Sequence, residues 1–245
     1  VGFSLPYAYV EGNPVTGHQM SKRIKLYTIL SAIFLTALVL AEVTGGKLIQ
    51  MSVGNDLAFT LTMGVIPFPI TFIVTDIINE YYGRTGIRFV TFIGMTMVAF
   101  ALLLLQVQMA IPAAAISPVP DAAFNTVFGI SGRIILGSLA AYLVGQLVDI
   151  RVFHFIRRKT GQRMLWLRAT GSTIVSQFID SFIVLYIAFL GPLSALQILN
   201  IGFTNYVYKF CIAVAITPVL YIIHGLVDRY LGRELASEML RDAHQ

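Results

Sequence analysis

Four groups of polar side chains stand at helical spacing inside otherwise apolar runs. Asp76, Asn79 and Glu80 lie in VTDIINEYYGR, Gln146 precedes Asp149 by three, Gln177 precedes Asp180 by three, and Asn205 precedes Lys209 by four. Offsets of three and four put such residues on one helix face. Carboxylates accept hydrogen bonds, amides do both and an ammonium donates. Gathered around one space, they can grip a polar guest or pass a proton. Ionisable groups inside a bilayer are costly and tend to mark pathways. Asp180 lies ten residues past Thr170, about 15 Å deep at 1.5 Å per residue and so near a midplane. Lys209 starts about 7 Å shallower by the same rise and is the natural counter-charge. A structural ion pair, a substrate clamp and a proton-coupling pair are all open to them, and a functional role is favoured. Glu80 and Asp149 are equally explained by solvation or by pairing with Arg84 and Arg151. Glu42 and Arg133 are expected near the outer surface, pairing or snorkelling.

The elements that carry these groups follow from composition. The chain has 245 residues, of which 57% are hydrophobic and 12% charged. A soluble domain carries about 25% charge, so half that amount cannot cover a soluble globule. An ordinary cytosolic enzyme and a disordered chain are excluded. One cysteine, Cys211, excludes a disulfide framework and a Cys-rich metal site. A helix needs about 20 mostly apolar residues to cross a bilayer. Six runs qualify: 24–44, 57–82 (interrupted by Pro67 and Pro69), 87–109, 129–150, 170–190 and 204–228. They are apolar on all faces rather than alternating, so the expected fold class is all-α, a polytopic six-helix transmembrane bundle.

Fourteen of the 17 Lys and Arg residues fall on one side of these spans. They precede the first span, separate the second from the third and the fourth from the fifth, and follow the sixth. The positive-inside rule then places both termini in the cytoplasm. The expected organisation is a tail over 1–22, a transmembrane domain over 23–230 and a tail over 231–245. Residues 1–20 lack a basic segment followed by an apolar core, so no cleavable signal peptide is expected. The run from Arg151 to Arg168 mixes cations with Phe153, Phe155 and Trp166. It is expected to lie along the inner headgroup layer. That account leaves no need for nucleic acid as a partner.

Other patterns carry less. Val74–Asn79 can be laid on Val175–Asp180, which hints at an inverted three-plus-three repeat with a site at its interface. The prolines of IPFPI fit an interrupted helix. Gly129-Ile130-Ser131-Gly132 resembles the rhomboid protease motif, with His224 on the sixth span. The depths separate that pair by far more than the contact a Ser–His dyad needs. No Walker loop or HExxH is present. Ala37 and Ala41, four apart, suggest close helix packing.

Four segments carry a resemblance: FPITFIVTDIINEYYG, GQLVDIRVFHFIRR, GSTIVSQFIDSFIVLYIAF and NYVYKFCIAV. In this order they resemble the queuosine precursor transporters, known more broadly as vitamin-uptake-type transporters. The resemblance implies uptake of 7-deazaguanines, in 7-cyano and 7-aminomethyl forms, across the bacterial inner membrane. It also implies a fold similar to the substrate-binding subunits of energy-coupling-factor transporters. The family motifs fall on Asp76, Glu80, Gln146, Asp149, Gln177, Asp180 and Lys209. No cofactor and no metal are implied.

The chemistry suits such a guest. A deazaguanine presents a ring N–H and an exocyclic amine beside a carbonyl. One carboxylate accepts both donors, and an amide or ammonium serves the carbonyl. Asp180 or Asp76 is expected to read the donor edge, and Gln177, Asn79, Gln146 or Lys209 the acceptor. Phe72, Phe178 or Tyr206 is expected to stack on the ring. The expected partners are this small molecule and the lipid bilayer, with assembly into homo-oligomers open. The alternative is a substrate-capture subunit that needs an energising partner, which liposomes holding the chain alone would separate.

Overall fold

The computed structural model describes residues 21–53, 57–160 and 165–243. It is mostly helical, in the order α1 (Lys22–Thr44), β1 (Leu48–Val53), β2 (Leu57–Thr62), α2 (Phe68–Met109), α3 (Asp121–Thr160), α4 (Leu165–Phe189), α5 (Ala195–Ala215), α6 (Thr217–Leu231) and α7 (Arg233–Ala243). A single 3₁₀ turn, Met63–Val65, joins β2 to α2. Among the described residues three helical stretches are long and apolar enough to cross a membrane. A fourth is added when α5 and α6, bent by 50° at their junction, count as one span. Their outer faces are oily: Phe92, Leu103, Leu143, Phe210 and Ile222 are each more than half exposed. Water does not tolerate a continuous surface of that kind, whereas lipid does.

The second expected span needs correction. Leu57–Thr62 is a strand, antiparallel to β1 with Leu48 opposite Thr62 and Val53 opposite Leu57. Each strand has only six residues, too few for a span, and hairpin geometry closes the backbone hydrogen bonds locally. The expected all-α class therefore gains a two-stranded hairpin. The prolines do not interrupt a helix. Pro67 is the N-cap of α2 and Pro69 its second residue, where a missing N–H costs nothing.

α2 is one helix in name and two in space. Gly83 takes φ 64° and ψ −167°, a conformation closed to residues with a Cβ. The chain folds back there. Tyr82 Oη donates to the Arg23 carbonyl at 2.7 Å and Tyr27 Oη to the Gly86 carbonyl at 2.8 Å. From that end the limb 68–82 runs antiparallel to α1 and the limb 84–109 parallel to it. Gly64 reaches the far end of α1 at Ala41, and Gly94 lies against Phe34 and Leu38. The limbs seal a core of Leu26, Leu30 and Phe34 against Val74, Ile77, Ile78 and Val90. α7 closes the same end. Its Ala236 and Met239 are buried in that core, and Arg23 bridges to Glu238 and Asp242.

Two further expectations change. Residues 151–160 do not form a separate surface stretch, because α3 is helical through Thr160 and α4 starts at Leu165. No glycine or proline stands between Gly145 and Gly161 to end the helix. The sixth span divides at Ile216, just ahead of Thr217-Pro218, since proline has no N–H for the preceding turn. α5 also begins at Ala195, nine residues earlier than Thr204. The capping box of Ser194 and Gln197 starts it there.

Candidate functional site

A cavity of about 260 Å³ opens where α1 to α5 converge beneath the hairpin. An engineered cavity of ~150 Å³ holds benzene, so this one has room for a fused two-ring heterocycle. Each wall is read from helical spacing. α1 supplies Leu38, Ala41 and Glu42, α3 supplies Ile134, Ser138 and Tyr142, and α5 supplies Asn205 and Lys209. α4 contributes Asp180, Ser181, Val184 and Leu185, and α2 contributes Phe68 and Thr71. The lining is apolar with a few convergent polar groups, the usual make-up of a small-molecule site.

The polar groups are held in place. Ser138 Oγ donates to Glu42 Oε2 at 2.8 Å. The Thr62 backbone N–H donates to Asn205 Oδ1, and Asn205 Nδ2 donates to Thr62 Oγ1, both at 3.2 Å. This reciprocal pair ties the end of β2 to α5 and fixes the hairpin over the cavity. Asn205 is only 6% exposed, so neither bond faces competition from bulk water. Lys209 Nζ stands 5.5 Å from the centroid of the Phe68 ring, within cation–π range. Gly64 lies against α1 so closely that a Cβ there would come within 2.7 Å of the Ala41 carbonyl oxygen. That contact holds the 3₁₀ turn against the α1 wall.

Of the residues expected to bind the substrate, the cavity brings together Asp180 and Lys209. Asp76 is elsewhere. Its Oδ2 lies 3.6 Å from His224 Nε2 on α6, and its side chain is 46% exposed. Phe68 and Thr71 define the cavity face of α2, and Asp76 follows Thr71 by five residues, a rotation of about 140°. Asn79, exposed, and Glu80, half-buried, do not line the cavity either. Phe72 packs on Phe68 with ring centroids 6.1 Å apart but stays outside the lining. Phe178 and Tyr206 meet edge to face at 5.5 Å. They lie two residues before Asp180 and one after Asn205, which turns them off the cavity faces of α4 and α5. The side chains of Gln146, Asp149 and Gln177 lie outside the described residues.

Sequence reasoning missed Glu42, Ser138, Tyr142 and Phe68, and left Asn205 outside the candidate site. Glu42 does not pair with Arg133, whose Nη2 donates to the Leu190 carbonyl at 2.7 Å. The hairpin and the 3₁₀ turn cover the end of α1, so Glu42 is enclosed rather than surface-bound. The spacing Leu38, Ala41, Glu42, Gly45 was the available signal. The rhomboid-like motif dissolves: Ser131 Oγ donates to the Val43 carbonyl at 2.6 Å, and His224 sits beside Asp76 and Tyr81. They belong to different regions of the molecule.

The comparisons agree with one another. Residues 62–223 match the family described as "Putative vitamin uptake transporter". A Bacillus subtilis (strain 168) protein named "Probable queuosine precursor transporter" is 36% identical over 164 residues, 66% of this chain and 71% of that protein. A Haemophilus influenzae protein of the same name is 28% identical over 203 residues, 77% of each chain. The Escherichia coli (strain K12) "Queuosine precursor transporter" is 27% identical over 205 residues, 78% of this chain and 83% of that one. No solved structure matches. The limbs of α2, the helices α3 and α4 and most of the cavity wall fall inside the matched region, and the chain belongs to the vitamin uptake transporter family.

Proposed function

We propose that this chain imports queuosine precursors across the bacterial inner membrane, taking 7-cyano- or 7-aminomethyl-7-deazaguanine into the cavity under the hairpin. One observation carries the reading: a carboxylate, Asp180, and an ammonium, Lys209, on adjacent helices α4 and α5 line one cavity of two-ring size. Asp180 accepts the ring N–H and the exocyclic amine, Lys209 donates to the carbonyl, and Phe68 offers its face to the ring. The names of the three relatives support the same substrate class.

In this reading both termini are cytoplasmic, and six passes arise from α1, the two limbs of α2, α3, α4 and the bent pair α5–α6. The gathering of basic residues at one side supports that orientation. An inverted repeat and a likeness to energy-coupling-factor binding subunits belong to the same proposal. In the same proposal Gln146, Asp149 and Gln177 are assigned to substrate binding, and Asp76, Asn79 and Glu80 to the inner route that alternating access exposes.

The test is competition for uptake in cells lacking other routes. Guanine-type bases with the same edge compete, whereas adenine, which puts a donor where the carbonyl stands, does not. An unsatisfied site group costs about 1–3 kcal/mol. Adenine competing as well as 7-cyano-7-deazaguanine would remove the edge-reading assignment.

A further inference from the structure

The cavity holds more acid than a neutral planar guest requires. Its ionisable lining consists of Glu42, Asp180, Lys209 and the phenol of Tyr142. With both acids and the amine charged, the sum is one negative charge. Asp180 and Lys209 suit the edge where a guanine-type ring sets donors beside a carbonyl. Glu42 comes from the α1 wall instead, and Ser138 on α3 holds its Oε2 at 2.8 Å. A carboxylate accepts at two oxygens with about four lone pairs, so one serine leaves most of that capacity for a guest. Among the lining residues Lys209 is the single fixed cation, and it stands over the Phe68 ring. In surroundings of low dielectric a second carboxylate is best satisfied by a charge the guest itself carries.

We infer that Glu42 is a specificity-determining residue that selects guests bearing a cationic arm, an alkylammonium on the ring edge away from Asp180, over guests of the same shape with a neutral arm. Ser138 is its positioning residue. The inference rests on the reading that the cavity binds a deazaguanine, and it orders the two substrates named there: the aminomethyl form above the cyano form. Charge-assisted hydrogen bonds are shorter and roughly twice as strong as neutral ones, and the cyano group offers Glu42 no donor at all.

The experiment measures binding of both bases to the purified full chain, as wild type, Glu42→Gln, Glu42→Asp and Ser138→Ala. The readout is the ratio of the two dissociation constants. Wild type is expected to favour the aminomethyl base, and Glu42→Gln to lower that preference by about 10- to 150-fold, the range for losing a hydrogen bond to a charged group. Glu42→Asp keeps part of the preference, because the charge remains. Ser138→Ala lowers it by a few-fold, because the carboxylate remains but is less well oriented. Equal weakening of both bases by Glu42→Gln overturns the inference, as does wild type binding the cyano base at least as tightly. Should Glu42→Gln bind neither base, Glu42→Asp decides, and loss of the preference there also overturns it. Wild type binding neither base sinks the deazaguanine reading and this inference with it. Wild type binding only the cyano base sinks this inference alone.

Discussion

Replacing Asp180 by Asn changes one oxygen to an NH₂ and leaves the volume of the side chain almost unchanged. In the cavity that substitution is severe. In the proposed binding mode the carboxylate accepts two donors from the ring edge, whereas an amide offers one acceptor and sets a donor against a donor. Hydrogen bonds to charged groups contribute about 1.5–3 kcal/mol each. At about 1.4 kcal/mol per tenfold, losing one such bond weakens affinity by about 10- to 150-fold. The residue lies inside the cavity with Ser181, Val184 and Leu185 on the same wall, so solvent does not step in for the lost acceptor. Equilibrium binding to the purified chain gives the number directly, and uptake at substrate concentrations below saturation follows it. Thermal unfolding without substrate serves as the control for folding. Asp180→Asn that binds within about twofold of wild type, with its unfolding temperature unchanged, would refute the placement of the donor edge at this carboxylate.

Two other changes test the scaffold. Asn205→Leu removes both bonds to Thr62 and leaves its half-buried backbone donor without its partner. A stability loss of about 2–4 kcal/mol is expected from the bonds and the unsatisfied group, read by denaturant titration in detergent and accompanied by weaker substrate binding. Gly83→Ala forces a Cβ to within 2.8 Å of the Ala243 carbonyl oxygen at a backbone of φ 64°. It should cost about 1–3 kcal/mol in strain and release α7, which limited proteolysis would detect as faster cleavage within 233–243. Unchanged proteolysis would mean that α7 does not depend on that contact.

Much of the organisation was legible because a bilayer imposes a strong physical filter. Apolar length, basic flanks and the rarity of buried charge were enough to mark the runs around α1, the second limb of α2, α3 and α4, and to point to Asp180 and Lys209. The hairpin was not legible as a hairpin. LAFTLT is apolar enough to pass for the start of a span and LIQMSV falls between the expected runs; only pairing between the two decides for strand over helix. The candidate site was legible in part for a related reason. A polar residue at the right depth on the right helix still needs its rotation about the axis. Asp76 and Asp180 look equivalent in sequence, yet one contacts His224 and the other lines the cavity. Glu42 shows the converse. Its position near the end of α1 suggested the surface, and the turn that follows folds back over it.

The sequence alone determined that this chain is suited to a lipid bilayer, that its basic residues gather beside and between the apolar runs, and that a few polar groups had to be accounted for within them. Those are properties of composition and one-dimensional spacing, and transfer free energies read them without knowledge of neighbours. The tertiary structure decided which of those groups share a space. Whether Asp180 shares a cavity with Lys209, Glu42 meets Ser138, or Asn205 meets Thr62 depends on the rotation of five helices and on a reversal at Gly83. Contacts between residues 96 to 143 positions apart are set by packing, which local sequence does not encode.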